Sequence, residues 1–315
     1  MIKILDLKTE KEYFLSPDDR LSCAIGNFDG VHEGHQRLLS FAAEKSGEIT
    51  KSAVFTFSVP TSHIKNGASL LMSPEQRYPI FRDLGIELLI LADFNEISAF
   101  SPTDFAEDIL YRRCQVRQVV CGFNFRYGRN ARGTAESLKK SFETLGGTAN
   151  IIPPYRFRGQ TVSSSEIREA LAVGNPERAR LMLGHPYSLT AEVVRGKMLG
   201  RTLGFPTANQ RFPQGRLVPK FGVYAVRMCI DGKIHFGVAN VGVRPTVENT
   251  VSANCETYVF DYHGDLYGKT VTTEFYEFLR PERHFSDVNA LKSAVKLDIQ
   301  RAILYFQAEK EQNSI

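Results

Sequence analysis

The chain is predicted to be α/β in two unlike halves: a parallel sheet with helices on both faces, then a small antiparallel β-barrel with one terminal helix. Three observations predict this. Through residue 185, short apolar runs alternate with segments whose apolar residues recur at three and four, as in strands joined by helices. From Pro186-Tyr187-Ser188-Leu189 onward the pattern changes to short strands separated by turns, which suits a small closed barrel. Over residues 286–307, Val288, Leu291, Val295, Ile299, Ile303 and Phe306 fall on one helical face, and residue 309 onward is expected to fray. A length of 315 residues fits two domains, expected at 1–185 and 186–315.

In the first half, residues 21–25 form an apolar run of buried-strand length, and residues 36–43 have a helix period. Between them lies Gly26-Asn27-Phe28-Asp29-Gly30-Val31-His32-Glu33-Gly34-His35. A glycine-rich turn from strand to helix is a phosphate site, because backbone N–H groups and the positive helix end both face the anion. Gly34 lets a phosphate approach the backbone, and His32 and His35 can donate to a phosphoryl group as its charge redistributes. Read singly, either histidine is as well explained as a surface or capping residue.

Residues 52–57 read as the next strand. Ser73-Pro74-Glu75-Gln76 opens a capped helix that Pro79 should bend or shorten. Residues 87–91 and 118–122 are further strands, with a second capped start, Ser101-Pro102-Thr103-Asp104, between them. Gly122-Phe123-Asn124-Phe125-Arg126-Tyr127-Gly128 then brings aromatic and basic residues to the same rim, as suits a phosphate and a flat ring, or equally a solvated arginine loop. Ser163-Ser164-Ser165-Glu166-Ile167-Arg168 reads as a capping box, with Arg168 within two turns of the helix start. A plain capped surface helix accounts for the same residues.

In the second half, Asp231-Gly232 between apolar runs is a hairpin turn, and Tyr262-His263-Gly264-Asp265 a further tight turn. Glycines 196, 200 and 204, with Arg201, form a close-approach loop before Phe205-Pro206-Thr207-Ala208-Asn209, and no P-loop motif is present. Thr207 and Asn209, two apart on an extended segment, offer hard oxygens on one side, fit for Mg²⁺ carrying ATP phosphates. A strand with two polar residues is the plainer alternative.

Composition limits the partners. Hydrophobic residues make up 43% and charged residues 23%, ordinary for a globular chain. A net charge of +4 and a pI of about 8.7 suit an anionic small substrate and give no basis for a nucleic-acid partner. The five cysteines show no CxxC or metal spacing, which points to a reducing compartment. No signal peptide or membrane span is read, so a cytoplasmic monomer or weak homo-oligomer is expected.

The strand–GNFDGVHxGHQ–helix stretch resembles the HxGH nucleotidylyltransferases, and in its longer form the bacterial FAD synthetases. Residues 122–128 and 163–168 are similar to that family's GxNFxFG and SSTxIR segments, with Tyr127 and Ser165 where Phe and Thr are usual. The family's Pro-His-Pro loop after the second strand is absent: the chain reads Ser58-Val59-Pro60-Thr61-Ser62-His63, and His63 is read as an ordinary loop residue. Residues 200–209 resemble the riboflavin kinase signature GRxxGFPTAN, followed by Asn240-Val241-Gly242-Val243-Arg244-Pro245-Thr246 and Phe278-Leu279-Arg280-Pro281-Glu282. The resemblance implies a Rossmann-like nucleotidylyltransferase domain followed by a riboflavin kinase-like barrel. It implies ATP, riboflavin and FMN as substrates, FAD as product and Mg²⁺ as cofactor. It also implies Glu256 as general base, with Tyr258 where a histidine is usual. His32, His35 and Arg168 would be catalytic in the first domain. Gly26, Asn27, Phe28, Asp29, Gly34, Ser164 and Ser165 would hold its phosphates; Gly196, Gly200, Arg201 and Gly204 would hold those of the second. Asn124, Phe125 and Arg280 would meet flavin. A kinase with weakened adenylyl transfer, or a non-catalytic flavin-binding module, are the alternatives.

Overall fold

The computed structural model describes residues 2–9, 15, 16, 18–44, 50–196, 204–245 and 251–312. Packing divides the chain into two units, Met1–Ser164 and Ser165–Ile315. The pattern change at Pro186 comes later, because periodicity tells a helix from a strand but not which core its apolar face joins. The two helices between these points pack with the second unit.

The first unit is built on six parallel strands: β1 (Lys3–Asp6), β2 (Arg20–Ile25), β3 (Thr50–Phe57), β4 (Leu88–Ala92), β5 (Val116–Gly122) and β8 (Thr148–Ile152). Their order is β1-β4-β3-β2-β5-β8, so the direction of winding reverses between β2 and β5. Two short ribbons, β6 (Arg126–Tyr127) with β7 (Gly133–Thr134) and β9 (Arg156–Phe157) with β10 (Gln160–Thr161), decorate the carboxyl side.

Successive strand residues face opposite ways, and both faces are covered. Ala24, Val54, Leu89 and Val120 pack against Leu38, Leu39 and Ala42 of α1 (Glu33–Glu44) and Phe81 of α3 (Pro74–Asp83). Cys23, Ile25, Phe55, Ile90 and Val119 pack on the other side against Leu138 and Phe142 of α6 (Ala135–Thr144) and against Phe105 and Leu110. Those last two lie on a π-wound segment, Phe105–Arg113, that continues the short α5 (Pro102–Asp104). Shorter helices α2 (Thr61–Asn66) and α4 (Phe94–Ile97) follow β3 and β4. As expected, Ser73 caps α3 through a full capping box, and the helix runs past Pro79 to Asp83.

The second unit is a closed antiparallel barrel of β11 (Tyr187–Val194), β12 (Thr207–Arg211), β13 (Gly222–Ile230), β14 (Lys233–Pro245), β15 (Val251–Val259) and β16 (Thr270–Arg280). Around the barrel the order is β11-β12-β15-β14-β13-β16. Asp231 and Gly232, at φ +50° and +77°, make the predicted β13–β14 turn. The stretch around Tyr262–Asp265 does not join paired neighbours: β15 pairs with β12 and β14, while β16 pairs with β11 and β13. Helix α7 (Ser164–Ala172) and helix α8 (Pro176–Leu183) precede the barrel, and Lys220 N–H donates to the Leu171 carbonyl at 3.0 Å.

The terminal helix, α9 (Val288–Gln312), corrects two expectations. It does not fray at residue 309: Glu309 is buried, 2.6 Å from Arg180 and 2.8 Å from Arg227. Its buried face is partly turned from the predicted one. Phe306 is buried as expected and Leu291, Val295 and Ile299 are half-buried, but Ala294, Asp298, Ala302 and Glu309 are buried while Val288 and Ile303 are exposed. Asp298 and Glu309 sit on the inner face because arginines of this unit meet them, and a rule that places charge outward shifts the face away from them.

Candidate active sites

The first site lies at the carboxyl ends of β2 and β5, where the winding reverses and the two following loops part, the usual crevice for a ligand in an open α/β sheet. Gly26 continues the sheet through its N–H to the Phe55 carbonyl at 3.2 Å. The chain then turns through left-handed backbone at Phe28, Gly30 and Val31, at φ +50°, +79° and +38°. Two non-glycine residues held there are strained, and Phe28 is kept in place by full burial edge-on to Phe81.

The His32 carbonyl accepts the Gln36 N–H at 2.9 Å, so α1 starts from His32. His32 Nδ1 accepts the His35 N–H at 3.3 Å, which assigns the proton of neutral His32 to Nε2. The two imidazoles stack with centroids 3.6 Å apart and 16° between planes. Burial, then the His32 and Arg77 charges, hold the His35 imidazole well below its usual range, so it is neutral at pH 7. Gly34 suits this packing: a Cβ there would lie 3.2 Å from the His32 ring, which would have to give by a few tenths of an ångström.

Asn27 and Asp29 turn their side chains inward. Asn27 Oδ1 accepts the Thr61 N–H at 3.0 Å, and the buried Asp29 carboxylate accepts the Leu71 N–H at 3.0 Å. Both brace the loop, and what they present to a phosphate is backbone. Ser164 donates to the Asp29 carbonyl at 3.0 Å. Ser165 and Arg168 follow on the first two turns of α7, within the second unit, Ser165 exposed and Arg168 half-buried.

On the β5 side, Asn124 is exposed and Phe125 half-buried, its ring stacked on Tyr127 at 5.6 Å. The Tyr127 hydroxyl lies 3.2 Å from Ser137 Oγ, which gives the tyrosine at this position a partner that phenylalanine would lack. His63, read from the sequence as a loop residue, lies instead in α2, with Nδ1 2.8 Å from the Ala68 carbonyl just beyond the helix.

Sequence reasoning passed over Arg77. It sits in the first turns of α3 and is fully buried. Its Nη1 donates to the Asn27 carbonyl at 2.9 Å and to Thr56 Oγ1 at 3.4 Å; its Nη2 donates to the carbonyls of Phe57 and Ser58 at 3.1 and 3.2 Å. No local pattern marks it, since an arginine there reads as the solvent side of a capped helix.

The second site is a row of polar side chains across three barrel strands. Asn209 of β12 and Asn240 of β14 stand opposite Glu256 of β15, so all three project to one face. Asn254, two before Glu256, shares that face and ties the row together: its Nδ2 donates to Glu256 Oε1 and to Asn209 Oδ1, both at 3.1 Å. Asn209 Nδ2 reaches Thr207 Oγ1 at 3.4 Å. The spacing from Glu256 alone makes Asn254 legible, although it was not singled out. Tyr258, opposite Thr207, meets Phe205 edge-on at 5.4 Å.

Gly196 lies against the Asn209 amide, where a Cβ would come within 2.7 Å of both amide atoms. Gly204 takes a left-handed φ of +86°. Gly200 and Arg201 lie outside the described residues. The Arg280 guanidinium is engaged by Asp298, Nε at 3.0 Å from Oδ1 and Nη2 at 2.8 Å from Oδ2. Glu282 accepts from Asn240 Nδ2 at 3.1 Å at the edge of the row.

Two family models match. An FAD synthetase model covers residues 16–166, and a riboflavin kinase model covers residues 183–306. The chain is 33% identical to a bifunctional riboflavin kinase/FMN adenylyltransferase of Listeria monocytogenes, over 90% of this chain and 91% of the relative. It is 34% identical to one of Bacillus subtilis, over 90% and 92%. This chain belongs to the bifunctional riboflavin kinase/FMN adenylyltransferase family. A solved structure described as a macrolide-efflux protein from Streptococcus pneumoniae superposes with a TM-score of 0.83 at 30% identity, over 95% of this chain and 98% of that one. No helix among the described residues is long and apolar enough to cross a membrane, and efflux is not carried over from that description.

Proposed function

We propose that this chain phosphorylates riboflavin to FMN in its barrel and adenylylates FMN to FAD in its parallel-sheet unit, using ATP in both steps. The observation that carries the reading is the presence of two separate sites, a histidine pair at a sheet switch point and a row of asparagines around the Glu256 carboxylate on a barrel face.

In the kinase step Glu256 takes the proton of the riboflavin 5′-hydroxyl as its oxygen bonds to the γ-phosphorus and ADP leaves. Asn254 holds one carboxylate oxygen of Glu256, which fixes its direction toward the hydroxyl. Thr207 Oγ1 and Asn209 Oδ1 are hard oxygen donors and fit Mg²⁺. Among the described residues no group of three His, Cys, Asp or Glu side chains is placed to hold a metal, so these two oxygens suit an ion completed by substrate phosphates and water. When bound there, Mg²⁺ neutralises charge on the ATP phosphates.

In the adenylyl step an FMN phosphate oxygen bonds to the α-phosphorus of ATP and pyrophosphate leaves. That nucleophile is already anionic, so the protein supplies position and charge stabilisation rather than a base. His32 and the neutral His35 donate N–H groups to the α-phosphoryl oxygens. Gly26, Gly34 and the loop backbone line the phosphates, with Ser164 as a further contact. Asn124 and Phe125 face the flavin. Four buried cysteines without disulfides suit a reducing cytoplasm, and a monomer or weak homo-oligomer is the working assembly.

Separate variants test the assignment. His32→Ala and His35→Ala should lower FAD formation from FMN by at least about 100-fold with riboflavin phosphorylation near normal. Glu256→Ala should do the reverse. Loss of both activities from one substitution in a folded protein would refute two independent sites.

A further inference from the structure

The sheet unit buries a cation that the proposed chemistry has not yet used. Arg77 is fully buried, and among the described residues no carboxylate forms an ion pair with it. Its forked head instead gathers three main-chain carbonyls and one hydroxyl, all from the phosphate loop and the end of β3: Asn27, Phe57, Ser58 and Thr56. The Nε proton is buried without a partner. A guanidinium desolvated in this way is costly to the fold, and its direct hydrogen bonds all go to neutral groups while the Asp29 and Glu75 carboxylates act on it without a direct ion pair. The stretch it holds, residues 56–58, is the end of β3 and the first residue beyond it.

We propose that Arg77 is a positioning residue for adenylyl transfer, acting through the backbone of the phosphate loop and through His35. It fixes the Asn27 carbonyl, and with it the turn that sets the two imidazoles. It also places a fixed positive charge beneath the site where negative charge gathers on the α-phosphoryl group. The inference rests on assigning FMN adenylylation to this unit.

The groups that bear on His35 are few. His32 stacks on it from the helix start, and Arg77 acts from α3. Tyr78 of α3, Asp29 of the loop (which also accepts the Leu71 N–H) and Glu75 of α3 act in turn on Arg77. The Arg77 charge adds to burial in keeping His35 unprotonated, so removing it lets His35 gain a proton at higher pH.

The test compares Arg77→Met, Arg77→Lys and His35→Ala in the full-length protein, each assayed for FAD formation from FMN and for riboflavin phosphorylation as an internal check. Arg77→Met should lower kcat for FAD formation by about 100-fold, with KM for ATP changed less than about threefold. Its acid limb should shift to higher pH. Arg77→Lys keeps the charge and loses the fork, so it should lower kcat while leaving the acid limb at the wild-type pH. If Arg77→Met does not fold, Arg77→Lys alone decides: a shifted acid limb or an unchanged kcat overturns the proposal. Wild-type kcat and pH profile in Arg77→Met, with His35→Ala inactive, would overturn the role of Arg77 and leave the site assignment standing. An active His35→Ala would instead overturn the assignment.

Discussion

A single methyl group should separate the two activities at Gly196. Its Cβ would press on the Asn209 amide from 2.7 Å, and that amide joins Thr207 to Asn254 and so to Glu256. Gly196→Ala should therefore lower riboflavin phosphorylation by more than about tenfold while FMN adenylylation is unchanged, read from FMN and FAD yields. His35 makes a second prediction. Its folded imidazole resists protonation, whereas in the unfolded chain it titrates near the ordinary value of about 6.5. The unfolded state thus binds the extra proton, and stability falls as pH drops below about 6.5, by at most about 1.4 kcal/mol per pH unit. Urea unfolding of wild type and His35→Gln between pH 7.5 and 5 should show a shallower acid loss in the variant. At this scale the grouping of His32 with His35 and of Thr207 with Asn209 was legible because each pair belongs to a short pattern, whereas Glu256 was picked out only through the family resemblance. Arg77 and the inward turn of Asn27 and Asp29 were not legible, since their partners, Phe57, Thr61 and Leu71, lie 20 to 42 positions away along the chain.

Elements were readable where local chemistry decides them. The capping box at Ser73, the Asp231-Gly232 hairpin and strands β2 to β5 fall where turn residues and periodicity put them, while β8 was not read. Helix α9 was partly misread in rotation because its buried face carries two acids. Asp298 meets Arg280, and Glu309 meets Arg180 and Arg227, with Arg227 also donating to the Tyr276 hydroxyl at 2.6 Å. Those partners come from distant parts of the chain, so no window along α9 contains the reason for its orientation. Glu309→Ala would leave two arginine heads without their shared carboxylate, and should destabilise the barrel unit by about 3 kcal/mol in urea unfolding. Glu309→Gln, which keeps one acceptor, should lose less. Equal stability of Glu309→Ala and wild type would mean the helix is held by Phe306 and its apolar neighbours alone.

At the level of the molecule, two architectures in one chain were predicted from a change of pattern, and two architectures are present. The placing of α7 and α8 with the barrel was hidden, because an amphipathic helix carries no label for its core. The two proposed reactions are linked chemically: the product of the barrel is the substrate of the sheet unit. The decisive measurement is to supply riboflavin, ATP and Mg²⁺ to the purified chain and to separate the flavins over time. FMN should rise first and fall as FAD accumulates. FMN accumulating with no FAD would contradict adenylyl transfer at the histidine pair, and riboflavin left unphosphorylated would contradict the kinase role of Glu256.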